Sequence, residues 1–289
     1  MLSRLTKSGV FWMIVSTLAA AVMQLFIRLS GDNVSVFLQI FARNLLGIFV
    51  AGCFIRREKL PVLGPLKLQP FLLARSLAGF IGLVTLFYAS RLGNLADVTI
   101  IQRTSPFFTT LFSVLFLRER TKLPQWLALA AVFTGGLIAA NPTFTSSALP
   151  MLLAFACALL NGVAYTLLAW FKDKVPAMTV VMHFSVTSVA LSLPLVLRDP
   201  QPLSARDVVI LFLIAASGNL CVVGLTLAYR LSPASEVSIY DQLGIVMSLL
   251  LGWIFLNQVP TVNTIVGGCI VVAASTLIFF YNKLRHSAK

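Results

Sequence analysis

Seven ionisable side chains stand inside stretches that are otherwise apolar: Arg28, Arg43, Arg75, Arg103, His183, Glu236 and Asp241. At the centre of a hydrocarbon layer such a group costs at least ~2.5 kcal/mol, so it faces a cavity or a partner and is a functional candidate. Arginine stays charged when buried, and its planar fork holds carboxylates and phosphates bidentately. A deep carboxylate must either pair or take up a proton. Arg43, Arg75 and Arg103 therefore point to an anionic group on a substrate, and Asp241 points to a cationic group or to proton coupling. Tyr240 and Tyr165 could pack the apolar part of such a substrate, and His183 is a further candidate.

Other chemistry finds little support. The sequence has no paired-histidine metal motif and no glycine-rich phosphate loop carrying a lysine. Cys53, Cys157, Cys221 and Cys269 lie in apolar stretches without metal-ligand spacing, as small packing residues do. Neither a catalytic constellation nor a cofactor is expected. The +13 net charge is scattered between apolar runs and forms no single basic surface, which argues against a nucleic-acid partner.

The elements that must position these residues are read from hydropathy. The chain is 58% hydrophobic and 11% charged, with a mean hydropathy of +0.94. A soluble surface needs roughly a quarter of its residues charged, so a lipid bilayer must be the solvent. Ten stretches reach membrane-spanning length: 9–29, 34–55, 70–90, 95–117, 123–140, 148–171, 177–197, 207–229, 234–256 and 261–281. In hydrocarbon every backbone polar group needs an internal partner, so these stretches are helices. The first resembles a signal peptide, but its apolar run continues past the cleavable-looking Leu18–Ala21. It is expected to remain as a helix.

With the N-terminus in the cytoplasm, fifteen loop or tail Lys and Arg residues fall inside, among them Arg56, Arg57, Lys59, Lys172 and Arg230. Only Arg91, Arg198 and Arg206 fall outside. The positive-inside rule then places both termini in the cytoplasm.

Depth sorts the candidates. Arg43 is about 9 residues, or ~13 Å, into its span, and Arg103 is about 8 residues into its own. Arg75 and Arg28 lie nearer span ends, where snorkelling also explains them. A shift of 139 residues aligns Arg91-Leu92 with Arg230-Leu231, Asp97–Ile100 with Glu236–Ile239, and Phe116-Leu117 with Phe255-Leu256. It also sets Gln102-Arg103 against Asp241-Gln242, a polar pair at matching depth in each half. Ser105-Pro106 and Gly244 are aligned helix-break candidates. Asp97 and Glu236 fit helix capping. Five spans per half is an odd number, so the second half runs inverted. Inverted repeats place a binding site near the midplane, at the repeat interface. The expected fold is an all-α integral membrane protein of ten transmembrane helices in two inverted repeats, residues 1–142 and 143–289.

The stretches Arg75–Ala89, Leu95–Thr99, Thr104–Phe107 and Leu117–Arg120, with Gly135-Gly136, Leu225–Ile239 and Gly252–Leu256, resemble the EamA family of the drug/metabolite transporter superfamily. The resemblance covers essentially the whole chain. It implies a transporter of small metabolites, usually an exporter, with spans 1–4 and 6–9 around the cavity and spans 5 and 10 as scaffold. The family usually carries Glu after span 9, matching Glu119 after span 4; here Gln258 stands in that place. Together these readings lead to a secondary-active exporter of a small, carboxylate-bearing metabolite in a bacterial inner membrane, driven by protons or a counter-substrate. A zwitterionic, neutral or cationic substrate is the alternative. A passive channel or a membrane enzyme is the reading from another class.

Overall fold

Among the described residues of the computed structural model, six helices are long and apolar enough to cross a membrane. The structure describes residues 8–30, 34–92, 101–102, 104–119, 122–140, 148–200, 202–256 and 262–287. The long helices are α1 (Gly9–Ser30), α2 (Val36–Glu58), α3 (Gln69–Leu92), α6 (Ala148–Trp170), α7 (Ala177–Arg198) and α8 (Ala205–Leu231). Between and after them lie α4 (Ser105–Leu117), α5 (Leu123–Ala140), α9 (Ala234–Val237), α10 (Leu243–Leu256) and α11 (Val262–Ser287).

Local sequence explains the boundaries. Ser35 caps α2 by accepting from the Leu38 N–H at 3.2 Å. Arg56 and Arg57 occupy the last turn of α2, where cations suit the helix dipole, and Lys59 ends it in a left-handed conformation. At the start of α8, Ser204 and Asp207 form a reciprocal capping box. Pro106 occupies the opening turn of α4, where the backbone N–H has no helical partner to lose, so it starts that helix.

The expected span 234–256 is not one continuous α-helix. A 3-10 segment, Ser238–Gln242, separates α9 from α10. Gly244 therefore lies in the first turn of α10, just past the irregular stretch.

Helices before residue 140 pack chiefly on helices after residue 148. The principal pairs are α1 with α8, α3 with α6, α2 with α7, and α5 with α11. Lesser pairs join α4 to α6, α10 to α1, α2 to α8 and α3 to α7. If α1 is matched to α6, α2 to α7, α3 to α8, α4 to α10 and α5 to α11, each pair maps onto another pair or onto itself. The helix contacts are thus pseudo-symmetric within an all-α, multi-span membrane fold.

Close backbone approach makes these contacts possible. A Cβ on Gly135 would stand 2.9 Å from the Gly267 carbonyl oxygen, so α5 and α11 meet almost backbone to backbone. The main buried cluster draws Met13, Leu72, Phe171, Tyr229, Ile239 and Tyr240 together from separate parts of the chain.

Candidate functional site

Arg75, on α3, is 3% exposed, and its guanidinium carbon lies 4.6 Å from the centroid of the Phe184 ring on α7. Its Nε and Nη1 have no hydrogen-bond partner among the described residues. A buried guanidinium held by a ring face, with N–H groups unpaired among the described residues, has donors that an acceptor could take up.

Arg43 is placed differently. From α2 it reaches the carbonyl of Gly218 on α8, donating through Nη2 at 3.4 Å. Asn219 reciprocates, its Nδ2 donating to the Arg43 carbonyl at 2.7 Å and to the Ala215 carbonyl at 2.8 Å. A Cβ on Gly218 would stand 2.5 Å from Arg43 Nε, so a larger residue there would have to displace the Arg43 side chain. Part of Arg43 thus ties α2 to α8, while its Nε has no partner among the described residues.

Tyr165, on α6, connects the charged groups. It is close enough to interact electrostatically with both Arg43 and Arg75, and also with Asp241. Its ring stacks on that of Tyr229 from α8, with centroids 5.5 Å apart and planes at 26°. Tyr229 interacts in turn with Asp241, and its side chain bonds that of Thr109 on α4. Asp241 lies in the 3-10 segment before α10, and is partly exposed. One cluster thus collects side chains from α2, α3, α4, α6, α8 and that segment.

The remaining candidates fall elsewhere. Tyr240 is buried in the main apolar cluster, and its hydroxyl lacks a partner among the described residues. His183 meets the Leu63 carbonyl at 3.1 Å, in the connection between α2 and α3. Gln102 is partly exposed, and its carbonyl accepts from Ser105 Oγ at 2.7 Å. Arg103, Asp97 and Gln258, with the side chains of Arg28 and Gln242, lie outside the described residues. Glu119, after α4, accepts the backbone N–H of Ala234 at the start of α9, at 3.2 Å.

Sequence reasoning passes over Tyr229 and Thr109. Tyr229 closes an apolar run and reads as its boundary, and Thr109 is one hydroxyl among several. The ring that Tyr229 meets, Tyr165, stands in a different span, and nothing in the residues around either tyrosine signals the pairing.

A multi-span helical bundle that gathers opposed charges where its helices meet has the architecture of a membrane transport protein. The chain belongs to the EamA-like transporter family, which matches it over residues 7–140 and again over 148–280. It is a transporter and not an enzyme. Among its relatives, the pseudopaline exporter of Pseudomonas aeruginosa is 28% identical over 272 residues, covering 93% of this chain and 95% of that one. The S-adenosylmethionine uptake transporter of Rickettsia conorii is 21% identical over 284 residues, covering 98% and 96%. Human solute carrier family 35 member G1 is 27% identical over 308 residues, covering 97% and 81%. A crystal structure of a further protein, 16% identical, shares the fold with a TM-score of 0.81 over 92% of this chain and 94% of that one.

Proposed function

We infer that the chain is a secondary-active exporter of a small organic metabolite bearing a carboxylate. The observation that carries this reading is Arg75, buried and with Nε and Nη1 unpartnered among the described residues. Arg43 adds a second positive charge within electrostatic reach. A carboxylate entering this cluster would take up the unpaired guanidinium donors, and Tyr165 would pack the adjoining apolar part.

Ten transmembrane helices in two inverted repeats, 1–142 and 143–289, would alternate access about this cluster. The pseudo-symmetric helix pairs and the two successive family matches support that arrangement. Arg103, Gln102 and Gln242 join the site by the repeat shift, and Tyr240 and His183 are assigned to its periphery. Pro106, in the opening turn of α4, and Gly244, just past the 3-10 segment, are the proposed break points about which the helices would move. Asp241 is the proposed proton carrier, since a carboxylate at this depth must pair or be protonated. Bacterial relatives support an inner-membrane location, the loop charge supports cytoplasmic termini, and the pseudopaline exporter supports outward transport.

Proteoliposomes loaded with a bacterial metabolite extract test the proposal. Saturable counterflow of a carboxylate-bearing compound is expected, and its loss in Arg75→Gln. Flux without saturation or counterflow would indicate a channel. Transport restricted to neutral or cationic compounds would overturn the carboxylate assignment.

A further inference from the structure

We propose that the connection between α2 and α3, residues 59–68, is a docking surface for anionic phospholipid, with its apolar side chains among the acyl chains and its flanking cations on the headgroups.

The segment runs Lys59-Leu60-Pro61-Val62-Leu63-Gly64-Pro65-Leu66-Lys67-Leu68, apolar but far too short to span a bilayer. Val62, Leu63 and Leu66 are exposed, Leu66 to 82%. Water would solvate those side chains poorly, whereas the boundary of a bilayer accepts them. Exposed cations flank them: Arg56 and Arg57 in the last turn of α2, then Lys59 and Lys67.

The backbone of the segment is fastened to the helices behind it. Thr179 Oγ1 on α7 donates to the Pro61 carbonyl at 2.7 Å. His183 Nε2, also on α7, meets the Leu63 carbonyl at 3.1 Å, and Gln69 at the start of α3 donates to that same carbonyl. Gly64 has a φ of +70°, a conformation that favours glycine, and a Cβ there would stand 3.4 Å from Thr179 and 3.5 Å from Val175. With these backbone groups turned to α7, the apolar side chains are left on the outside.

The adjoining turn between α6 and α7 carries the marks of a membrane interface. Lys174 Nζ lies 3.5 Å from the centroid of the Trp170 ring, and Trp170 packs on Phe71 of α3 with centroids 4.9 Å apart. Tryptophan favours the headgroup level, and a lysine beside it holds its charge at that level. Lys172 and Lys174 are both exposed. Six exposed cations, Arg56, Arg57, Lys59, Lys67, Lys172 and Lys174, are thus set against two acids, Glu58 and Asp173. That balance selects an anionic headgroup over a zwitterionic one, and the exposed apolar side chains select a lipid over free phosphate.

The test is native mass spectrometry of the purified full-length protein, titrated with phosphatidylglycerol or with phosphatidylcholine of the same acyl chains. Phosphatidylglycerol should bind about tenfold more tightly or better, and Lys59→Gln combined with Lys67→Gln should remove most of that preference while sparing phosphatidylcholine, the scale of two cations at an anionic surface. Leu66→Ser should weaken both lipids several-fold, as the loss of a lipid-buried side chain requires. Arg198→Gln combined with Arg206→Gln removes the same charge near the opposite end of α7 and should leave the preference as in the wild type. Equal binding of the two lipids, a preference intact in the lysine variant, or an equal loss in the arginine variant would overturn the proposal. So would displacement of phosphatidylglycerol by inorganic phosphate, which would mark a phosphate site. A dimer lost on Leu66→Ser would mark an interface between copies of the chain, and would overturn it too.

Discussion

Arg75 and Arg43 carry the same charge and do different work. Arg43 donates to the α8 backbone, in the space that glycine leaves at residue 218. Gly218→Ala should therefore displace the guanidinium and cost about 1–3 kcal/mol, the range for overpacking. A fall in apparent Tm with Arg43 intact would report it, and an unchanged Tm would show that the helices can part there. Arg75 is held by a ring and keeps N–H groups unpaired. Arg75→Lys keeps the charge but loses the planar fork, so initial transport should fall about tenfold or more with Tm little altered. Little of this contrast was legible in the sequence. Depth favours Arg43, and nearness to a span end allows Arg75 to snorkel. Phe184 and Gly218, which decide the matter, are remote in sequence from the arginines they meet.

At the scale of elements, the helix ends were legible and the helix interruptions less so. Ser35, Ser204 and Pro106 act where their chemistry allows. The 3-10 segment Ser238–Gln242 carries no proline or glycine to announce it, and it packs against α1, α4 and α5. Glu119 joins two elements by accepting the Ala234 N–H at the start of α9. That carboxylate caps a helix of another part of the chain, which satisfies a donor that the helix itself leaves open. Glu119→Ala should cost about 1 kcal/mol, a few degrees of apparent Tm. Glu119→Gln, which keeps an acceptor oxygen, should cost less. Equal losses in the two variants would show that the cap depends on charge alone.

At the scale of the molecule, hydropathy discloses the membrane class, because lipid solvation demands long apolar runs. Loop charge gives an orientation that can be tested directly. Single cysteines placed within 142–147 should react with an impermeant reagent added from outside, and labelling only from the cytoplasmic face would reverse the topology. Which helix lies against which could not be read from composition, because apolar residues predominate around the spans and their few polar groups do not name a partner helix. The structure pairs α1 with α8, α2 with α7, α3 with α6 and α5 with α11. Those pairings have a consequence for synthesis. As α1 to α5 leave the ribosome, the helices that will cover them do not yet exist. Arg43 and Arg75 enter the membrane before the Gly218 carbonyl and the Phe184 ring that will receive them. At roughly 5–20 residues per second the wait is on the order of ten seconds. Nascent chains halted after residue 142 should therefore be degraded quickly, and co-production of 143–289 should rescue them.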